Sequence, residues 1–278
     1  MRNDIIIKIK EASSLKEYSV KEIKENVNEY LFSCDLNEID TKEFVFALLN
    51  DNRKSINMLG KKVEKYIENR NAEVKRVRKM YNFDRQFGED IYISGADEVG
   101  RGPLAGPICA ASVILKLDSH QDKDMILGIN DSKKLSPKQR EELSIKIKER
   151  SICYNITVIQ HDMIDLKGIS WCNNEVLKKA VLNGELLPQL ALSDGFAIKS
   201  LSIDNKFFIK GDSKSASIAC ASIIAKVYRD KIMAEYSKIY PEYGFDRNSG
   251  YGTKEHIEAI KKYGPCKIHR RSFITKIL

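Results

Sequence analysis

Apolar residues change their spacing along the chain near residue 90. Before it they recur at helical intervals. One set is Val20, Ile23, Val27 and Leu31, a second Phe44, Val45, Leu48 and Leu49, and a third Ile56, Leu59, Val63 and Ile67. Such spacing puts each set on one face of a helix. Ser19 with Glu22 has the pattern of a capping box before the first set, and Asp40 with Glu43 suggests a second start. Asn50-Asp51-Asn52 separates the second set from the third. Residues 1–85 therefore read as a helical N-terminal extension. Beyond it the runs shorten and gain β-branched residues. Ile91–Ile93 and Ile108–Leu115 predict an antiparallel strand pair whose connecting loop carries Asp97 and Glu98. Ile152–Ile159 alternates as a strand. His161 to Asn183 predicts one helix, with Ile164, Trp171, Val176, Leu177, Ala180 and Val181 in the core. Leu190–Leu192 and Phe207–Ile209 predict further strands. Ser136 before Pro137 marks a helix start. From Ser215 to about Tyr240 the residues are apolar and small on nearly every side, which marks a buried helix. A short helix over Glu255 to Tyr263 and a C-terminal helical tail complete residues 86–278. The class is α/β, with the strand order left open.

Composition and charge narrow this picture. A hydrophobic share of 42% over 278 residues is enough for a packed core. No stretch could span a membrane. The opening MRNDIIIKIK is too short and too charged in its apolar run for a signal peptide. The six cysteines are dispersed without a CxxC pair, as expected of reduced thiols. These features point to a cytoplasmic protein, and we expect a monomer. The histidines lack the spacing of a zinc site. The net charge of +8 suits a polyanionic partner. Lys75, Arg76, Arg78 and Lys79 form a basic stretch that could contact a duplex backbone; the competing reading is a solvated helix face. His269, Arg270 and Arg271 could do the same, or could belong to a docked tail.

Candidate chemistry is concentrated in GADEVGRGPLAGP, residues 95–107. Adjacent carboxylates raise each other's pKa, and burial adds to the cost. A divalent cation relieves both, and acidic oxygens are what Mg²⁺ and Mn²⁺ prefer. Gly100 and Gly102 allow close backbone approach, and amides beside the Arg101 guanidinium suit phosphate. Two further acids follow apolar runs: Asp194 before Gly195, and Asp212 in Lys210-Gly211-Asp212. Asp204 competes with Asp194. Lys133 and Lys134 near a helix start are candidates for phosphate contacts. Tyr251, between Gly250 and Gly252, suits stacking on a sugar or base. Lys226, Arg229 and Asp230 read as structural or surface residues.

The segment GADEVGRGPLAGP resembles the signature of ribonuclease HII, and NDSKKLS and SIACASIIAKVYRD resemble further segments of that family. The resemblance implies a ribonuclease H-like mixed sheet flanked by helices. It implies an endonuclease that hydrolyses the RNA strand of RNA–DNA hybrids. Such an enzyme also cuts 5′ to ribonucleotides embedded in duplex DNA, leaving 3′-hydroxyl and 5′-phosphate ends. The catalytic set would be Asp97, Glu98, Asp194 and Asp212, holding two Mg²⁺ or Mn²⁺ ions with Asp97 as the bridging ligand. Asp194 is preferred over Asp204 because it keeps the family's separation from the KGD motif. Gly100, Arg101 and Gly102 would read the 2′-hydroxyl, and Tyr251 would pack on the deoxyribose beyond it. The sister enzyme ribonuclease HIII usually has DEVGTGD at this loop and a sheet-containing N-terminal domain, against the helical one read here. Two other readings are a nucleic-acid-binding protein without catalysis and a metal-dependent phosphatase on small substrates. The four acids speak against the first, and the basic balance with Tyr251 against the second.

Overall fold

A computed structural model describes residues 15–33, 41–88, 90–117, 124–275 and 277. The chain divides into two compact units, Met1–Arg76 and Val77–Leu278. In the first, helix α1 (Val20–Ser33) opens with a capping box. The Glu22 N–H donates to the Ser19 hydroxyl at 3.3 Å, and the Ser19 N–H to the Glu22 carboxylate at 2.8 Å. Helix α2 (Thr41–Leu49) and the first part of helix α3 (Lys54–Arg85) follow. Ile23, Val27, Phe44, Leu48, Ile56 and Val63 bury against one another, as their spacing requires. The start suggested at Asp40 lies outside the described residues.

In the second unit β1 (Ile93–Val99), β2 (Ile108–Ile114), β3 (Cys153–Ile159), β4 (Leu190–Asp194) and β5 (Asp204–Phe208) form one sheet in the order β3-β2-β1-β4-β5. β2 runs antiparallel to β1 and β3, whereas β4 runs parallel to β1 and β5. The sheet is mixed, and its inner strands are covered on both faces. Helix α4 (Pro137–Arg150) starts with Ser136 as N-cap and Pro137 at its first position. Helices α5 (His161–Lys167) and α6 (Ile169–Leu182) come next, then α7 (Ala216–Ile239), α8 (Phe245–Asn248), α9 (Lys254–Tyr263) and α10 (Arg271–Ile274). α6 packs on one face of the sheet and α7 on the other. Ala96 of β1 belongs to the cluster with Cys172, Val176 and Ala180 of α6. Its neighbour Gly95 faces α7 so closely that a Cβ there would sit 2.1 Å from the Ile218 nitrogen. Only glycine lets the first turn of α7 lie on β1.

Three expectations are corrected. Asp97 and Glu98 lie within β1, not in the loop after it. Pairing with β2 continues to Val99 opposite Cys109, so the strand absorbs the acids, while Ile91 and Tyr92 precede it. The helix expected over His161 to Asn183 breaks at Gly168, whose φ of +77° ends α5 and starts α6. Trp171 is 44% exposed and not core; it lies on the outer side of α6 with the Lys167 ammonium 5.9 Å from its ring.

Candidate active site

The parallel register pairs Ala96 with Ser193. The next residue of each strand is an acid, so Asp97 and Asp194 sit side by side at the carboxyl ends of β1 and β4. Alternation then decides direction. Asp97 shares the Gly95 face and looks toward α7, and Glu98 looks the other way. β5 leads through Lys210, at φ +56°, into a short 3-10 turn, Gly211–Ser213. The Gly211 N–H donates to Asp194 Oδ1 at 2.6 Å, which ties the turn carrying Asp212 to the end of β4. All four carboxylates line one cleft of about 570 Å³, together with Gly100, Arg101, Gly102, Lys133 and Tyr251. Asp204 is exposed and starts β5 opposite Leu190, at the far end of the strands. Of the two alternatives, Asp194 is the one that reaches the cleft. Lys134 does not line it, although its charge reaches Asp212.

The electrostatics are those of crowded acids. Burial, and then the charge of Glu98, push the Asp97 carboxyl well above its ordinary range, against hydrogen bonds from the Ser222 hydroxyl and the Glu98 N–H. Burial and Asp194 likewise raise Glu98, opposed by Arg101, which stands 3.5 Å from it. Asp212 is raised by burial, Asp194 and Asp131, while Lys133 and Lys134 pull it down. Among the described residues no group of three or more His, Cys, Asp and Glu side chains could hold a metal ion by itself. The donor set still fits Mg²⁺ or Mn²⁺. These ions keep several waters and take one or two carboxylates plus substrate phosphate rather than an all-protein cage. A cation would also lower the mutual repulsion that raises these carboxyls.

Several site residues were not singled out from the sequence, although Ser132, Ser222 and Lys226 lie in the segments that resemble the family. Ser222 of α7 bonds Asp97, and its hydroxyl lies 3.0 Å from that of Ser132. Both serines line the cleft, as does Lys226 one turn along α7, paired with Asp230 at 2.7 Å. Lys226 is thus a cleft residue as well as an ion-pair partner. Asp84 is fully buried under the start of α7, where its carboxylate accepts from the Ser217 N–H at 2.8 Å. A carboxylate at a helix N-terminus offsets the positive end of the dipole. Even so, burial raises Asp84 to about 6. Of the two readings of the tail, the structure favours the docked one. His269 and Arg270 are buried rather than set on a surface for backbone phosphate. Arg271 is exposed, with its N–H bonded to Asp165 at 2.8 Å.

Comparison with known proteins agrees with this geometry. The family described as Ribonuclease HII matches residues 94–276, and the Ribonuclease HII N-terminal domain matches residues 19–88. The ribonuclease HII of Clostridium tetani is 56% identical over 231 residues, which cover 83% of this chain and 85% of that one. The structure of ribonuclease H2 from Pyrococcus horikoshii OT3 superposes with a TM-score of 0.57 at 26% identity, over 67% of this chain and 97% of that one. A structure of Bst-RNase HIII in complex with Mn²⁺ shares the fold, with a TM-score of 0.52 at 21% identity over 70% of this chain and 71% of that one. A mixed sheet with acids at its strand ends and this set of relatives defines a ribonuclease H-type endonuclease, a hydrolase acting on RNA–DNA hybrids. Within that class the chain belongs to the ribonuclease HII family. The alternatives of a ribonuclease HIII, a non-catalytic binding protein and a small-substrate phosphatase give way to that membership. No helix among the described residues is long and apolar enough to cross a membrane.

Proposed function

We propose that the cleft cuts on the 5′ side of a ribonucleotide embedded in duplex DNA, leaving a 3′-hydroxyl and a 5′-phosphate, and that the RNA strand of longer hybrids is also a substrate. The observation that carries this reading is the convergence of Asp97, Glu98, Asp194 and Asp212 on one cleft with the Gly100–Gly102 loop and Tyr251. Asp97, Glu98, Asp194 and Asp212 hold Mg²⁺ or Mn²⁺, in all two ions. When bound, such ions supply a water of lowered pKa and neutralise charge on the phosphate. The protein's own groups position the strand. The loop amides and Arg101 face the 2′-hydroxyl and its phosphate. Lys133 and Lys134 lend positive charge beside Asp212, where substrate phosphate enters. Tyr251, 42% exposed at the cleft edge, stacks on the next sugar.

The functional division we adopt is a helical extension over residues 1–85 and a catalytic domain over 86–278. The basic turns of α3, with Lys75, Arg78 and Lys79 exposed, contact the duplex backbone and add affinity that falls with salt. The protein acts as a monomer in the cytoplasm. The test uses a labelled duplex with one ribonucleotide, an all-DNA control and a long hybrid, each with Mg²⁺, Mn²⁺ or chelator. A single metal-dependent cut 5′ to the ribonucleotide, absent from the control, is expected. Cutting of the long hybrid alone would overturn the embedded-ribonucleotide reading.

A further inference from the structure

The cleft loop rests on a buried cation held by backbone carbonyls. Arg270 is 0% exposed. Its Nη2 donates to the Gly100 carbonyl at 2.6 Å, its Nη1 to the Arg101 carbonyl at 3.0 Å, and its Nε to the Gly106 carbonyl at 2.9 Å. The guanidinium packs 5.2 Å from the Phe273 ring centre. A planar fork with fixed donors suits several carbonyls at once, in a way an ammonium cannot match.

The second buried arginine extends the same scaffold. Arg229 of α7 is also 0% exposed. It donates to the carbonyls of Pro107 (2.9 Å), Ala105 (3.2 Å) and Ser249 (2.9 Å). Ser249 has a φ of +47° and stands just before Gly250 and Tyr251. The Leu104 N–H donates to the Gly250 carbonyl at 2.8 Å. The glycine–arginine loop and the tyrosine loop thus share one set of carbonyl contacts. Two like charges buried together oppose folding unless their donors are satisfied. Here each guanidinium donates to three carbonyls of the cleft-loop backbone.

Peptide geometry gives this a direction. In a trans peptide the C=O and the next N–H point opposite ways. The Gly100 and Arg101 carbonyls point inward to Arg270, so the N–H groups of Arg101 and Gly102 point outward. Both residues line the cleft. We propose that Arg270 is a specificity-determining positioning residue. By holding two carbonyls inward it presents the Arg101 and Gly102 amides to the ribonucleotide. This rests on the reading of the cleft as a site for embedded ribonucleotides. Arg270 touches no substrate, and its effect passes through the loop backbone.

The experiment compares wild type with Arg270→Lys. Binding is measured in Ca²⁺ to a duplex with one ribonucleotide and to its all-deoxy counterpart, and KM and kcat are measured in Mg²⁺. A misplaced hydrogen bond should lower the preference for the ribonucleotide by about tenfold. The loss should appear in KM more than in kcat, with the melting transition still cooperative. A folded Arg270→Lys that keeps the wild-type preference overturns the proposal. A structural role alone would lower the melting temperature and leave the preference of the folded fraction intact. Should the variant fail to fold, the wild type decides by nuclear magnetic resonance in Ca²⁺. The Arg101 and Gly102 amide protons should gain protection from exchange with the ribonucleotide duplex and not with the deoxy one. Equal protection by both duplexes overturns the proposal. If wild type shows no preference for the ribonucleotide at all, the reading of the cleft itself falls, and the proposal with it.

Discussion

Two charged regions lie close together in the second unit and are built on opposite terms. Along the strand ends, Asp97, Glu98, Asp194 and Asp212 share one cleft, and the carboxyls of Asp97, Glu98 and Asp212 are raised by burial and by neighbouring acids, Asp194 acting on all three. Beneath the neighbouring loop, Arg229 and Arg270 are more deeply buried, yet each donates to three backbone carbonyls. Burial and the Arg229 charge push Arg270 down to about 9, so it stays cationic at neutral pH. Charge that the chain satisfies acts as scaffold. Charge that the chain leaves crowded is, on the function proposed above, completed by a bound cation.

Substitution should separate the two kinds. Asp97→Asn removes charge from the crowded side. Cleavage should fall by about a thousandfold or more, while the melting temperature at pH 8 stays level or rises. A loss of stability with turnover retained would reverse the roles assigned to the two regions. Arg229→Met removes charge from the satisfied side and leaves three carbonyls without a donor. That should cost about 3 kcal/mol in urea unfolding; a change within experimental error would mean the carbonyls find water.

Asp84 sharpens the comparison because it is an acid used as scaffold. Its folded pKa of about 6 lies above the ordinary 3.8. Between those values the folded state binds more protons than the unfolded one. Its contribution to stability therefore falls as pH rises through that window, by on the order of 3 kcal/mol in all. Asp84→Asn does not titrate. The stability of wild type relative to Asp84→Asn should decline from pH 4 to pH 6.5 and level off above, as urea unfolding at several pH values would report. A constant difference would mean that Asp84 keeps an ordinary pKa under α7.

The smallest effect concerns cation binding. Asp97, Glu98 and Asp212 have raised folded values, so each loses a stabilising proton as pH rises through its folded pKa. Mg²⁺ at about ten times its Kd should add about 1.4 kcal/mol, with a larger shift in melting temperature at pH 8 than at pH 5. Equal shifts at both pH values would place the ion away from these acids.

Local signals made much of the fold legible in the sequence. The capping box at Ser19 and Glu22, the Ser136-Pro137 helix start and the buried small-residue helix from Ser215 all depend on neighbours a few residues away. The acids at Asp97, Asp194 and Asp212 stood out because each follows an apolar run. Trp171 was misread because its helix breaks at Gly168, and a glycine with positive φ has no obligatory mark in composition. Lys226 was set aside because nothing in its own segment says that α7 lies along the cleft.

The sequence by itself determined the α/β class, the helical N-terminal region and the segments that carry the acids, since these follow from periodicity and adjacent residue types. Only the tertiary structure decided which residues meet. The parallel register of β1 and β4 set Asp97 beside Asp194 and left Asp204 at the wrong end. The close approach at Gly95 brought Ser222 onto Asp97. The return of the tail decided between two open readings of Arg270 and made it the support of the cleft loop. Each is a contact between residues far apart in the chain, fixed by packing, and no local pattern encodes it.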